Sequence, residues 1–155
     1  MSPRKNKTSG RAFTVEFPRP LPAEKRGDAW WTDADGRELR LSNLDKVFWP
    51  DEGYTKGDLI EFYRSVSPWL LRYLDDRPLV LTRYPDGIRG KSFFQKDAPG
   101  YVPGWVRTER IWSEHAEREI DYFVCDHEES LLYLANMATI PIHVFEAEQP
   151  GPTAL

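Results

Sequence analysis

The chain has 155 residues, about the length of a single domain. Hydrophobic residues make up 40% of it and charged residues 30%, and no apolar run approaches the ~20 residues that a membrane span needs. The amino terminus lacks the apolar stretch of a signal peptide, and the single cysteine, Cys125, cannot form an internal disulfide. We therefore expect a cytoplasmic protein with no membrane partner. Cys125 follows an apolar run, which predicts a core residue rather than a nucleophile.

The net charge of −4 argues against a generic nucleic-acid binder, because such domains are usually basic. The charges are nevertheless segregated along the chain. Residues 1–27 carry seven basic and two acidic groups, residues 77–110 carry seven and three, and residues 111–155 carry one and nine. The block 77–110 also contains interleaved aromatic residues, which makes it the candidate nucleic-acid surface. The alternative is a solvated face without a partner.

The first elements in chain order are an arm and a hairpin. Residues 1–27 are basic and lack periodicity, so we expect a flexible basic arm. The segment Trp30–Leu41 predicts a hairpin, with Asp35 and Gly36 in its tight turn. An irregular segment follows as far as Pro50, which interrupts it.

A helix is predicted to begin at Thr55, whose side chain can cap it, with Asp58 placed to favour the positive end of the helix dipole. Apolar residues at positions 59, 62, 63 and 66 repeat at helical spacing. The pair Ser67 and Pro68 is predicted to end this helix and to begin a second one, as its cap and first position.

The remainder predicts an α+β domain, with a mostly antiparallel sheet and helices packed on one side. A helix is expected over 127–138, with Asp126 as its cap and Glu129 at its third position. We expect the domain to span 28–148 and a Pro/Gly-rich tail to span 149–155. Strands are predicted over 79–84, 92–96, 106–112, 119–125 and 140–145.

Catalytic and metal-binding patterns are weak in this sequence. Nucleotidyl transfer needs carboxylates that hold two divalent ions, and the one suitable spacing, Asp33–Asp35, falls in the predicted hairpin turn, where Asp is favoured for turn chemistry alone. The histidines His115, His127 and His143 are scattered, and no Gly-rich phosphate loop is present. From the residues alone we predict no catalytic residue and no metal site.

Two lysines suggest a phosphate site. Lys56 lies at the predicted start of a helix, where open backbone N–H groups and the helix dipole favour an anion. Lys46 could reach the same place, with Asn43 or Thr55 donating as well, to bind a dianionic terminal phosphate. The alternative is that both lysines are simply solvated.

The block 77–110 also contains aromatic residues between its basic residues. Lys91 and Lys96 flank Phe93 and Phe94, so bases could stack on the rings while the ammonium groups follow the backbone. Consecutive residues of a strand point to opposite faces, and the alternative is that both rings are buried at a junction between sheet and helix. His143 lies in an apolar strand, which indicates either a core residue or a donor to an incoming triphosphate.

Together these segments resemble the polymerase domain of bacterial DNA ligase D, a primase-type polymerase of the archaeo-eukaryotic kind used in non-homologous end joining. The resemblance covers residues 36–145 in order. It is carried by Leu41–Pro50, Thr55–Asp58, Arg77-Pro78, Arg83–Gly87, Phe93–Lys96, Pro103–Val106, Ile120–Tyr122 and Leu134–Val144.

The resemblance implies roles for matching positions. Lys46, Lys56 and Asn43 match the family's pocket for the 5′-phosphate of a recessed DNA end. Phe93 and Phe94 match the rings that stack at the template strand.

Arg83 and His143 match nucleotide-side contacts, although the basic residue that often precedes the family's arginine is Thr82 here. Family members continue into a second lobe with an Asp-x-Asp motif, which binds Mn²⁺ or Mg²⁺. This sequence resembles the amino-terminal lobe, so we expect no catalysis by the chain alone and no cofactor unless a complementary catalytic lobe is present.

Three functions follow as hypotheses. The first is a DNA-end binding module in the cytoplasm, associated with the bacterial nucleoid, whose partners are recessed, 5′-phosphorylated DNA ends. The second is one half of a split DNA polymerase, a nucleotidyltransferase completed by a second chain. The third is a protein-interaction remnant with no DNA role. A separate catalytic lobe, a ligase or Ku are the protein partners that the resemblance implies.

Overall fold

The computed structural model describes residues 23–26, 29–34 and 37–145; within 29–34 it describes the backbone and the Trp31 side chain. No helix of this described part is long and apolar enough to cross a membrane. The described residues form two helices, α1 (Lys56–Leu74) and α2 (Glu128–Asn136), and ten strands. The strands are β1 (Ala23–Arg26), β2 (Ala29–Ala34), β3 (Arg37–Leu41), β4 (Val47–Trp49), β5 (Tyr54–Thr55), β6 (Leu79–Arg83), β7 (Phe93–Gln95), β8 (Thr108–Ser113), β9 (Arg118–Phe123) and β10 (Thr139–Val144).

The predicted hairpin is confirmed, because β2 and β3 pair antiparallel from Trp30 opposite Leu41 to Ala34 opposite Arg37. Strand β1 pairs with the outer edge of β2 and completes a three-stranded sheet. The predicted arm was therefore too long, since its residues 23–26 are a strand. Residues 1–22, the turn at 35–36 and the segment 146–155 that contains the predicted tail lie outside the described residues.

A larger sheet has the order β10-β6-β9-β8, with β7 also on β6, and every pair in it is antiparallel. Leu79 and Leu81 alternate along β6 and are fully buried in a core shared with Ile60 of α1 and Leu131 of α2. The predicted α+β fold with a mostly antiparallel sheet is confirmed. Its strands, and α2, lie within two residues of the predicted bounds, and the segment expected to be irregular contains β4.

Helix α1 begins as predicted. The Asp58 amide donates to the Thr55 hydroxyl at 3.2 Å, and the Thr55 amide donates to the Asp58 carboxylate at 2.8 Å. This reciprocal capping box satisfies two backbone groups that a helix start otherwise leaves open.

The predicted break at Pro68 is wrong, because α1 continues through it to Leu74. Proline removes the amide that would bond the carbonyl four residues earlier, which here belongs to Arg64. The Ser67 hydroxyl lies 2.9 Å from that carbonyl and 2.9 Å from the Glu128 carboxylate, so its single proton can serve either acceptor. Pro68 itself is exposed. The Ser-Pro pair therefore lies inside one helix and does not start a new one.

Helix α2 is capped one residue later than predicted, at His127 rather than Asp126. Its third position is Ser130, whose hydroxyl bonds the His127 carbonyl at 2.7 Å. Glu129 is buried and instead forms an ion pair with Arg37 at 3.2 Å, which joins α2 to β3. The Cys125 thiol is buried, and this burial raises its pKa to about 12, which confirms the core interpretation.

Candidate nucleic-acid interface

A loop that precedes β4 brings the two predicted phosphate-binding lysines together. The Lys56 amide donates to the Lys46 carbonyl at 2.8 Å, and the Gly57 amide donates to the Leu44 carbonyl at 2.9 Å. A Cβ atom on Gly57 would lie 3.0 Å from the Leu44 oxygen, so this close approach favours glycine. Asn43 is exposed and has a left-handed backbone, with φ of 56°, where the loop turns.

The expectation of open backbone N–H groups at the start of α1 is wrong. The amides of Lys56 and Gly57 are bonded to the loop, and those of Thr55 and Asp58 belong to the capping box. The Thr55 hydroxyl, predicted as a second phosphate donor, also lies 3.2 Å from the Asp58 carboxylate and serves the cap. An anion at this place would consequently be bound by side chains and not by the helix terminus.

Lys56 is almost completely buried, with 5% of its surface exposed, and its ammonium donates to the Ser42 hydroxyl at 3.1 Å. Burial, followed by the positive charges of Lys46 and Arg83, lowers its pKa to about 8. The charges of Lys46 and Arg83 therefore act on the Lys56 ammonium, and the bond from the Lys56 amide to the Lys46 carbonyl holds the two lysines in neighbouring positions. We call Lys46, Lys56 and Arg83 the cation cluster.

Lys46 is the more accessible lysine of the cluster, with a side chain that is 39% exposed. Its ammonium donates to the Pro85 carbonyl at 2.7 Å and to the Asp86 carboxylate at 2.9 Å. An ammonium group has three N–H donors, so one remains for a ligand.

Arg83, the third member of the cluster, is held by two hydrogen bonds. Its guanidinium donates to the Met137 carbonyl at 2.7 Å and to the Gln95 side chain at 2.9 Å. It also lies 5.0 Å from the centre of the Phe93 ring, within the range of a cation–π contact. Burial lowers the pKa of Arg83. The Phe93 ring and the positive charge of Arg83 therefore lie next to each other.

The two predicted stacking residues are both accessible, with Phe93 45% and Phe94 74% exposed. In the sheet, Phe93 pairs with Arg83 and Phe94 pairs with Thr82, so the rings lie on opposite faces, as predicted. The alternative that both rings are buried is wrong. Of the flanking lysines, Lys91 is exposed and Lys96 is half-buried.

His143 is exposed, which overturns the interpretation of it as a core residue. It pairs with Val80, and Val80 and Arg83 lie on opposite faces of β6. His143 therefore shares a face with Phe94 and not with Arg83, so the structure separates the two residues predicted to be nucleotide-side contacts.

Sequence reasoning missed the role of Asp86, because the turn Pro-Asp-Gly is typical of turn chemistry alone. Tyr101 is 80% exposed, and its phenol raises the pKa of the half-buried Tyr133 after the larger effect of burial.

The described residues contain no group of three or more His, Cys, Asp or Glu side chains placed to hold a metal ion. The side chains of Asp33–Asp35 lie outside the described part.

A family model for the primase-polymerase domain of LigD matches residues 55–154, which is more than half of the chain. The chain belongs to the LigD primase-polymerase domain family. The predicted resemblance is thereby confirmed.

LigD relatives also align individually. The bifunctional non-homologous end joining protein LigD of Bacillus subtilis is 35% identical over 107 residues, covering 69% of this chain and 16% of the relative. The multifunctional LigD of Mycolicibacterium smegmatis is 30% identical over 118 residues, covering 74% and 15%. The chain thus spans about one sixth of the length of these LigD proteins.

A solved LigD structure has the same fold. It is the polymerase domain of Mycobacterium tuberculosis ligase D in complex with DNA, which superimposes with a TM-score of 0.66 at 27% sequence identity. The match covers 74% of this chain and 40% of that one.

Proposed function

We propose that the chain binds DNA ends that carry a recessed 5′-phosphate, as a LigD-type module in non-homologous end joining. The observation that carries this proposal is the cation cluster, in which a backbone bond joins Lys56 to Lys46, and Arg83 lies beside the exposed Phe93 ring. Burial of the Lys56 ammonium near the positive charges of Lys46 and Arg83 is unfavourable, and a bound anion would offset this cost. The three residues come from separate segments of the chain.

The chemistry favours a terminal phosphate over an internal phosphodiester. A terminal phosphate carries up to two negative charges near neutral pH, whereas an internal phosphodiester carries one. Lys56 is buried, so the Coulomb energy of a second negative charge there is screened less than at the surface. Hydrogen bonds between charged partners are also stronger than neutral ones.

The remaining residues extend the surface. Phe93 and Phe94 are placed to stack against bases, with Lys91 and Lys96 beside them and Asn43 at the loop of the cluster. His143 is a candidate contact on the opposite face, shared with Phe94. This arrangement suits a junction where a duplex end meets a single strand.

The similar proteins support the same proposal. The matched polymerase domain was solved with DNA, and the relatives are named as non-homologous end joining proteins. A ligase and Ku are the further partners that this role would require, in the bacterial nucleoid.

The test is a fluorescence titration with two recessed duplexes that differ only in the 5′-phosphate. The native chain is expected to prefer the phosphorylated end by roughly tenfold or more, the worth of one hydrogen bond to a charged group. The double variant Lys46→Ala, Lys56→Ala should bind both ends alike. An unchanged preference in this variant would refute the proposal.

A matched control removes the same charge elsewhere. Lys25 and Arg72 are exposed and lie on β1 and near the end of α1. The double variant Lys25→Ala, Arg72→Ala should therefore keep the preference for the phosphorylated end. If neither end binds in a salt-dependent manner, the remaining hypothesis of an interaction module without a DNA role is favoured.

A second candidate is a lobe of a nucleotidyltransferase that a separate polypeptide completes. It is favoured by the family model, which is that of a primase-polymerase domain. The completing lobe would supply the carboxylates that hold Mg²⁺ or Mn²⁺. Primer extension in Mn²⁺ by a mixture with the rest of a relative's domain, but not by either part alone, would establish it.

A further inference from the structure

The turn between β6 and β7 contacts the cation cluster directly. Two of the three donors of the Lys46 ammonium are engaged by consecutive residues of this turn, the Pro85 carbonyl at 2.7 Å and the Asp86 carboxylate at 2.9 Å. These contacts cross 39 and 40 residues of sequence, so they join two separate segments of the fold.

The turn is itself anchored to the strand that follows Lys46. The Ile88 amide donates to the Phe48 carbonyl at 2.8 Å. Gly87 has a φ of 91°, and a Cβ atom there would lie 2.9 Å from the same Phe48 oxygen. Since Phe48 is fully buried and only two residues beyond Lys46, the position of Asp86 is fixed relative to the lysine.

Lys46 needs such a contact if it is to remain in the cluster. Lys56 repels its positive charge, and a lysine side chain loses considerable rotamer entropy when it is held in one conformation. Its partly exposed ammonium would otherwise gain by turning into water. A carboxylate on the solvent side offsets the repulsion and keeps the ammonium near Lys56.

We propose that Asp86 is a positioning residue for 5′-phosphate recognition, which holds the Lys46 ammonium beside Lys56 with one donor free for the phosphate. This inference rests on the proposed function and deepens it, because it names the residue that organises the site before DNA arrives. The net charge of the cluster with Asp86 is +2, which matches a dianion.

Repulsion between Asp86 and the phosphate opposes this effect but is the smaller term. The Asp86 side chain is 72% exposed, so water and salt screen its charge from a ligand that lies beyond the lysine. Its hydrogen bond to Lys46 is direct and fixes the geometry. Preorganisation of a binding group reduces the entropy lost on binding, so removal of Asp86 is expected to weaken recognition.

The experiment compares the affinities for phosphorylated and unphosphorylated recessed ends in Asp86→Ala and Asp86→Asn. The alanine variant should lose roughly three- to tenfold of the preference for the phosphorylated end. The asparagine variant, whose amide oxygen can still accept from Lys46, should lose less. The control is Asp51→Ala, which removes an equally exposed carboxylate paired with Arg89 and should leave the preference unchanged.

A double-mutant cycle separates positioning from general structural damage. If Asp86 acts through Lys46, then Asp86→Ala should have no further effect on the preference in a Lys46→Ala background. An unchanged or increased preference in Asp86→Ala would overturn the inference, as would a full additive loss in the double variant. Absence of any preference in the native chain would instead refute the proposed function, so the two failures are distinguishable.

Discussion

The Lys56 ammonium donates to the Ser42 hydroxyl, which carries no charge. The two charged residues that lower its pKa, Lys46 and Arg83, are both positive. Burial of a charged group away from water is unfavourable unless a counter-charge is supplied. The pKa of such a buried group is therefore shifted from its ordinary value. Perturbed groups of this kind cluster at functional sites. A bound phosphate would supply the counter-charge that Lys46 and Arg83 do not.

The preference for a phosphorylated end is therefore expected to depend on pH. The pKa of Lys56 is about 8, so in the free protein the ammonium loses its proton as the pH rises through that value. A dianion favours the protonated form, so binding takes up a proton above about pH 8, and the preference falls there. Titrations across this range measure the fall, and calorimetry in buffers of different ionisation enthalpy measures the proton uptake.

Lys56→Met is the control, because it keeps the length of the side chain and removes the titrating group. Its residual preference should be independent of pH around 8, and an equal fall in this variant would contradict the assignment. The linkage to folding has a defined sign. Because the folded pKa lies below the ordinary value of 10.5, the folded state binds this proton less tightly, and the contribution of Lys56 to stability rises with pH between about 8 and 10.5.

At this scale, the sequence predicted that Lys46 could reach the start of the helix that carries Lys56, and a backbone bond joins the two residues, but their side-chain partners were not predicted. Charge type and spacing from a helix start are local properties, and their use for a phosphate stays a prediction. The contacts of Lys46 with residues 85 and 86, and of Arg83 with Met137, span 39 to 54 residues and depend on tertiary packing. Spacing alone could not predict them.

Among the secondary-structure elements, α1 connects the stability of the fold to the candidate site, because it is capped by Thr55 and begins at Lys56. Thr55→Ala removes the acceptor of the Asp58 amide and should lower the free energy of unfolding by about 1 kcal/mol. Urea denaturation measures this change, and Thr55→Ser, which keeps the hydroxyl, should remain close to the native value.

The same variants test what Thr55 does for DNA. Because its hydroxyl is engaged with Asp58, Thr55→Ala is expected to leave the preference for a phosphorylated end unchanged under conditions where the variant is folded. A lost preference with native stability would show that Thr55 contacts the phosphate after all.

The elements also show where pattern and structure diverge. Hydrophobic periodicity and turn residues were sufficient for the five strands of the larger sheet, whose bounds were close to those predicted, but not for β1, β4 and β5. Pro68 was misinterpreted because a Ser-Pro pair is typical of a helix start, whereas here the Ser67 hydroxyl reaches back to the Arg64 carbonyl. The two roles use the same residues, so the sequence alone does not distinguish them.

Across the whole molecule, a net charge of −4 coexists with the cation cluster, so the proposed binding to DNA would be local rather than general. The logarithm of the affinity for a phosphorylated end should fall linearly with the logarithm of the salt concentration. Lys46→Ala, Lys56→Ala should reduce the magnitude of that slope by roughly 1.4 to 1.8, since each phosphate contact contributes about 0.7 to 0.9.

Titrations at several salt concentrations give both slopes. The Lys25→Ala, Arg72→Ala variant provides the comparison, and its slope should match that of the native chain. Equal slopes for all three proteins would mean that the two lysines of the cluster release no counterions and that other basic groups contact the DNA.

The backbone bonds from Lys56 and Gly57 to the loop at 44–46 have one further consequence. The amides that would fray first in an isolated helix are here held by the same loop that carries Lys46. Loosening of the loop would unravel the first turn of α1, and melting of that turn would release the loop. The backbone at both lysines is therefore held together with the first turn of the helix, and a DNA end bound there would require little rearrangement of the backbone.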